Sequence, residues 1–129
     1  MSRTVLVVDD SPTVVKFVAF ALKKNGFEVI TAGDGMEAIE KLSTLDGRID
    51  LVITDLNMPN MDGYSLISTL RENPEHQATP IIILSSEGDD DDRELGLRVG
   101  ASSYLVKPFR PSVLLGEVSK FVDIDSVKK

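Results

Sequence analysis

The 129-residue sequence contains no cysteine and only one histidine. Disulfides, iron–sulfur clusters, thiol catalysis and cysteine-ligated zinc are therefore excluded, as are metal sites built from several histidines. No apolar stretch approaches the roughly 18 residues that a membrane-crossing helix needs, so no membrane insertion is expected. The N-terminus, MSRTVLVVDD, lacks the long apolar segment and small-residue cleavage site of a secretory signal. A net charge of −7 argues against a binder of the phosphate backbone, and no nucleic-acid partner is expected. No GxGxxG or Walker A pattern is present, and AGDG at 32–35 is too short to signal a nucleotide site. Internal repeats, low-complexity segments and domain linkers are also missing. These absences predict a cytoplasmic protein with one domain over residues 1–129, a core over about residues 4–122 and no output domain.

What remains is ordinary for a globular chain: 42% hydrophobic and 27% charged residues. A domain of this length buries about two-thirds of its unfolded surface, enough for a core without covalent staples. Five short strands are predicted: Thr4–Val8, Glu28–Thr31, Leu51–Thr54, Pro80–Leu84 and Ser103–Val106. The runs VLVV, LVIT and IIIL are almost continuously apolar, as in strands of a parallel sheet covered on both faces. Helices are predicted between them. The first starts at Ser11-Pro12, with Ser11 as N-cap and Pro12 in the first turn, and stops near Asn25-Gly26. Its inward stripe is Val14, Val18, Ala21 and Leu22. The others cover about Gly35–Leu45 (Ile39 and Leu42 inward), Gly63–Glu72 (Leu66, Ile67 and Leu70 inward), Asp90–Val99 and Pro111–Val122. Gly96 weakens the fourth by roughly 1 kcal/mol relative to alanine. Strict strand–helix alternation implies parallel strands, right-handed crossovers and helices on both faces.

Ligands of open α/β sheets gather at the carboxyl ends of the strands. Asp9 and Asp10 follow the first strand there, and Asp55 follows the third, with Asn57 two residues on. Ser85, Ser86 and Glu87 follow the fourth, and Lys107-Pro108 the fifth. Aspartates often serve only as turn or capping residues, but Ser11 already caps the first helix, so Asp9 and Asp10 are not needed there. Two carboxylates 4 Å apart repel by roughly 4 kcal/mol at an effective dielectric near 20. Three in one pocket need a compensating charge. An oxygen-only set of carboxylates suits Mg2+, which keeps waters and accepts phosphate oxygens as further ligands. Lys107 would add a point charge for a phosphate, and the Ser85 hydroxyl a hydrogen bond. The combination suits phosphoryl transfer to an aspartate nucleophile. Asp55, single at the end of the middle strand, is the best candidate, with Asp9 and Asp10 as metal ligands.

In order along the chain, LVVDDS, LVITDLNMPNMDG, IIILSSE and SYLVKPF resemble the receiver domain of two-component response regulators, over about residues 4–122. The short length is similar to single-domain, chemotaxis-type regulators. The resemblance implies a flavodoxin-like α/β fold, a doubly wound five-stranded parallel sheet of order 2-1-3-4-5 with five helices. It implies Asp55 as phosphoacceptor and Mg2+ ligand, Asp10 as direct Mg2+ ligand, Asp9 as a ligand through water, and the Asn57 backbone carbonyl as completing the shell. Ser85 and Tyr104 match the switch pair, Lys107 the phosphate-pairing lysine, and Pro108 a cis proline. Asn57 and Glu87 match positions that tune phosphorylation and dephosphorylation. Ser86 departs mildly from the very small residue usual there. The implied partners are a histidine kinase and a phosphorylation-dependent protein target, with a phosphatase among the candidates, and the implied state is a monomer or weak dimer. The implied readout is a change of the surface formed by the fourth helix, fifth strand and fifth helix. The chain would not be an enzyme, beyond taking part in its own phosphorylation and dephosphorylation.

Two other readings stay open. A small Mg2+-dependent phosphatase would use similar groups, but it needs a substrate pocket or cap, and Asp55 is followed by Leu56-Asn57 rather than by a DxD element. A phosphorylation-independent interaction module would keep the fold without the chemistry. Elsewhere, Asp89–Asp92 reads as a solvated helix N-terminus, His76 as a surface residue, and Phe20 as an exposed apolar residue off the first helix's inward stripe.

Overall fold

Alternating side-chain direction organises the whole molecule. In the computed structural model, which describes residues 3–44, 49–56, 58–85 and 90–122, Val5 and Val7 of the first strand enter one core and Leu6 and Val8 the other. This is the two-residue period of a strand whose two faces are both covered. The elements are β1 (Arg3–Val8), α1 (Pro12–Lys24), β2 (Phe27–Ala32), α2 (Gly35–Thr44), β3 (Leu51–Asp55), α3 (Gly63–Glu72), β4 (Ile81–Ser85), α4 (Asp90–Val99), β5 (Ser103–Val106) and α5 (Pro111–Val118). The five strands form one parallel sheet in the order β2-β1-β3-β4-β5. The predicted fold class and strand order are both observed.

One core joins Val5, Val7, Leu51, Ile53, Ile82 and Leu84 to Val18 and Leu22 of α1 and Leu114 and Val118 of α5. The other joins Leu6, Val8, Val52, Ile81 and Ile83 to Ala38 of α2 and Leu66, Ile67 and Leu70 of α3. Each fully buried Leu, Ile or Val contributes about 1.5–3 kcal/mol relative to exposure, so these two layers fix the sheet and its carboxyl edge. The middle strand β3 is buried along its whole length, Asp55 included.

Local chemistry sets the helix ends. Ser11 Oγ accepts from the Val14 amide at 3.4 Å, Pro12 opens α1, and Lys23 and Lys24 sit in its last turn, where the helix dipole favours cations. Gly26 takes φ +91° just past the end, and its amide bonds to Lys23 O. The α2 start has a D-x-x-E arrangement. Asp34 Oδ1 accepts from the Glu37 amide at 2.8 Å, and Glu37 Oε1 accepts from Gly33 N at 2.7 Å. At α3, Asp62 accepts from Ser65 N at 2.9 Å.

Several boundaries differ from expectation. The regular part of α5 ends at Val118, not Val122. The Lys120 and Phe121 amides bond to carbonyls three residues back, Glu117 and Val118, the Val122 amide also bonds to Val118 O, and Ser119 Oγ donates to Gly116 O. β4 starts after Pro80, which has no amide to donate but whose carbonyl accepts from Val52 N. Ile39 and Leu42 are only partly buried, and the small Ala38 supplies the fully buried contact of α2. Leu45 and Asp89 lie outside the described residues. Phe20 is 69% exposed, as expected, with Lys24 Nζ 5.9 Å from its ring centre. His76 is half-buried near the amino ends of the strands, and its carbonyl accepts from Arg71 Nη1 at 2.9 Å.

Candidate functional site

The sheet order puts β1 and β3 side by side, with Val8 paired to Thr54, so their carboxyl ends deliver Asp9, Asp10 and Asp55 to one place. One oxygen from each of the three carboxylates lies within 4.8 Å of the other two. Asp9 is 1% exposed, Asp55 is 7% exposed and Asp10 is exposed. The site is therefore a polar floor open on one side.

Each buried carboxylate is also tied to backbone. Asp9 Oδ1 accepts from the Ser11 amide at 2.9 Å, and Asp55 Oδ1 from the Leu56 amide at 2.8 Å. The expectation that Asp9 has no part in the start of α1 is corrected here. Ser11 caps the helix, and Asp9 fixes the turn that presents Ser11. Asp55 is the last residue of β3, paired with Leu84, rather than the residue after the strand. Its backbone is closed in by α3, since a Cβ on Gly63 would lie 2.3 Å from Asp55 O.

The compensating cation comes from β5. Lys107 Nζ is 2.8 Å from Asp9 Oδ2 and 3.7 Å from Asp55 Oδ1. The Lys107 amide donates to Ser85 O at 2.7 Å, which joins the ends of β4 and β5, and the Lys107–Pro108 peptide is cis. Ser85 is fully buried at the end of β4. Tyr104 pairs with Ile83 one strand step away and packs against the core shared by α2 and α3. Asn57, Ser86 and Glu87 lie outside the described residues.

Burial raises the Asp55 carboxyl above the ordinary aspartate range. The charge of Asp9 raises it further, Lys107 and the Leu56 amide act in the opposite direction, and Asp10 adds a smaller upward push. The anionic site is thus under-neutralised by Lys107 alone. A hard divalent cation would supply what is missing. With metal–oxygen distances of about 2.1 Å, an octahedral ion spans ligand oxygens up to about 4.2 Å apart. The three carboxylates are close to that spacing and are all oxygen donors, and the exposed Asp10 leaves the cluster open on one side for water ligands. The donor set therefore fits Mg2+.

Two contributors were not singled out from the sequence. Asp34 and Asn60 meet beside the site, with Asn60 Nδ2 donating to Asp34 Oδ2 at 2.7 Å. The Asp34-x-x-Glu37 spacing is a helix-start signature that pattern reading can find. The contact with Asn60 is not local and has no sequence signal. Among the described residues, no helix is long and apolar enough to cross a membrane.

Known proteins are similar to this chain in sequence and in fold. PilG of Pseudomonas aeruginosa is 38% identical over 127 residues, covering 95% of this chain and 93% of PilG. The transcriptional regulatory protein PhoP of Bacillus subtilis is 37% identical, but the chain spans only 45% of its length. Among solved structures, chemotaxis response regulator CheY4 of Vibrio cholerae superposes with a TM-score of 0.88 at 37% identity, covering 95% of this chain and 100% of that one. CheY in the CheX–CheY–BeF3–Mg+2 complex from Borrelia burgdorferi gives a TM-score of 0.86 at 34% identity, covering 94% and 90%. The model of the response regulator receiver domain matches residues 5–119. With that match running from β1 through α5, and with three aspartates and a lysine meeting at the carboxyl edge of a 2-1-3-4-5 sheet, the chain belongs to the response regulator receiver domain family.

Proposed function

We propose that this protein is a phosphorylation switch in which Asp55 accepts a phosphoryl group from a histidine kinase in the presence of Mg2+. The observation that carries the reading is the Asp55 carboxylate, buried at the end of the middle strand beside Asp9, Asp10 and Lys107. Receivers are substrates of histidine kinases rather than enzymes acting on an external molecule, and the relative crystallised with BeF3 and Mg+2 supports the same chemistry for this fold.

Placement supports the roles of the described residues, and those of Asn57 and Glu87 rest on the resemblance. The Asp55 carboxylate is the nucleophile. A bond forms between one of its oxygens and phosphorus as the bond from phosphorus to the donor breaks, and the donor leaves with that electron pair. Asp10 and Asp55 would hold the ion, with Asp9 acting through water, and the resemblance adds the backbone carbonyl of Asn57 to that set. The cation, when bound, neutralises charge on the phosphoryl oxygens. Lys107 is the protein's own positive charge for the product, 3.7 Å from Asp55 Oδ1 before any phosphoryl group arrives. Ser85, one strand over, is the hydroxyl that hydrogen-bonds the new oxygens. Asn57 and Glu87 tune access to the site.

The readout is a surface. Ser85 and Tyr104 stand on neighbouring strands, and movement of Ser85 toward the phosphoryl group makes room for Tyr104 to turn inward. This alters the α4–β5–α5 face and its affinity for a protein target. Similarity to the chemotaxis response regulator CheY4 favours a chemotaxis-type pathway, and a protein that removes the phosphoryl group is proposed as a second partner.

Intact-mass spectrometry after incubation with Mg2+ and a small acyl phosphate tests the proposal. A single phosphoryl adduct is expected in wild type, absent with chelator and in Asp55→Asn. No adduct in wild type that binds Mg2+ would leave an interaction module as the better reading.

A further inference from the structure

The AGDG segment at 32–35 touches the loop that leads away from Asp55. Asp34 uses both oxygens. Oδ1 caps α2 through the Glu37 amide at 2.8 Å, and Oδ2 accepts from Asn60 Nδ2 at 2.7 Å. Next to it, the Gly35 amide donates to Met61 O at 3.2 Å. Gly35 is buried, and a Cβ there would lie 2.7 Å from Met61 O and 2.8 Å from Met61 Cβ. The loop backbone is itself bent to make these contacts, with Asn60 at φ +66° and the Met61 amide bonded to Pro59 O at 2.7 Å. At the loop's far end, the Gly63 amide bonds to Leu56 O at 2.9 Å.

The β3–α3 connection is therefore fastened at two points. Its base is closed by Gly63 on Leu56, and its tip is held against the first turn of α2. We infer that Asp34 and Gly35 are positioning residues for the cation site: they hold the β3–α3 loop through Asn60 and Met61, and so set the geometry that Asp55 and the loop offer to a divalent ion. Neither touches the ion. They act as outer-shell partners do, by limiting the arrangements their neighbours can adopt. The glycine is required by the close approach of Met61, and the aspartate by its two simultaneous hydrogen bonds. This inference rests on the proposed Mg2+ site.

Isothermal titration of the metal-free protein with MgCl2, on variants shown to be folded by circular dichroism, tests it. Gly35→Ala improves helix propensity but forces Met61 away, and is expected to weaken Mg2+ binding about tenfold, the low end for outer-shell partners. Asn60→Asp sets two carboxylates against each other and is expected to weaken binding although it adds negative charge near the cation. The double variant Asp34→Asn/Asn60→Asp has the net charge of wild type. Its asparagine at 34 can still cap α2 through its oxygen while its amide donates to the aspartate at 60, so binding should return toward wild type. Wild-type affinity in Gly35→Ala and Asn60→Asp would overturn the inference. Weakening of Asn60→Asp that the double variant fails to restore would overturn the role of the pair. Absence of Mg2+ binding in wild type would instead overturn the cation site itself.

Discussion

Lys107 Nζ lies 2.8 Å from Asp9 Oδ2 and 3.7 Å from Asp55 Oδ1, so the lysine bridges both carboxylates and sits closer to the proposed metal-ligand side than to the proposed phosphoacceptor. On the proposed reading, a divalent ion and Lys107 would compete for the negative charge of Asp9. A phosphoryl group on Asp55 would give the lysine a new partner.

Lys107→Met tests that competition because methionine keeps much of the apolar stem but not the charge. Breaking a buried ion pair costs about 3–5 kcal/mol. Asp9 keeps its bond to the Ser11 amide, so a loss of about 2–3 kcal/mol is expected in metal-free protein, read from urea denaturation. Mg2+ binding should tighten severalfold in the same variant, and the stability deficit should shrink when Mg2+ is present. Unchanged Mg2+ affinity would show that Lys107 does not compete.

Asp55 carries a pH signature. Burial and the neighbouring Asp9 charge hold its folded-state pKa above the unfolded value, so the folded protein binds this proton more tightly than the unfolded chain does. Stability from this group is therefore fully present below the unfolded value of about 3.9 and is lost as pH rises through the higher folded value. At neutral pH, Asp55→Asn should raise the metal-free melting temperature, because it removes a charge that burial and Asp9 disfavour. The variant should also lack this stability loss between mildly acidic and neutral pH. Differential scanning calorimetry across that range measures both, and a lower melting temperature in the variant at pH 7 would contradict the assignment.

Two glycines predict opposite signs. Gly63→Ala would drive a methyl group to 2.3 Å from the Asp55 carbonyl oxygen, a backbone atom at the end of the middle strand that cannot move cheaply. Overpacking of this kind costs about 1–3 kcal/mol, and the upper end is expected. Gly116→Ala in α5 meets nothing within 4 Å, so it should gain about 0.5–1 kcal/mol from helix propensity. Denaturation midpoints of the two variants against wild type decide both.

Much of this was legible because the relevant signals are local or periodic. The apolar runs VLVV, LVIT and IIIL announce strands covered on both sides, and the acids and lysine that follow them fall at the carboxyl edge by topology alone. What was not legible depends on contacts between distant segments. No pattern within AGDG says that Asp34 will bond Asn60, 26 positions along, or that Gly35 must admit Met61. The second use of Asp9, bonding the Ser11 amide, was missed because Ser11 alone accounts for the cap. The shorter α5 reflects a competition that propensity describes poorly: Phe121 and Val122 still pack against the core, but the chain reaches them through a tighter turn after Ser119 bonds back to Gly116.

The central claim is that Asp55 itself takes the phosphoryl group, and locating the adduct tests it most directly. Protein treated with Mg2+ and a small acyl phosphate is reduced with borohydride, which converts an aspartyl phosphate to homoserine, and the peptides are then sequenced by mass spectrometry. The account predicts homoserine at position 55 alone, dependent on Mg2+ and lost with chelator. Homoserine at position 9 or 10, or none in protein that binds Mg2+, would contradict it.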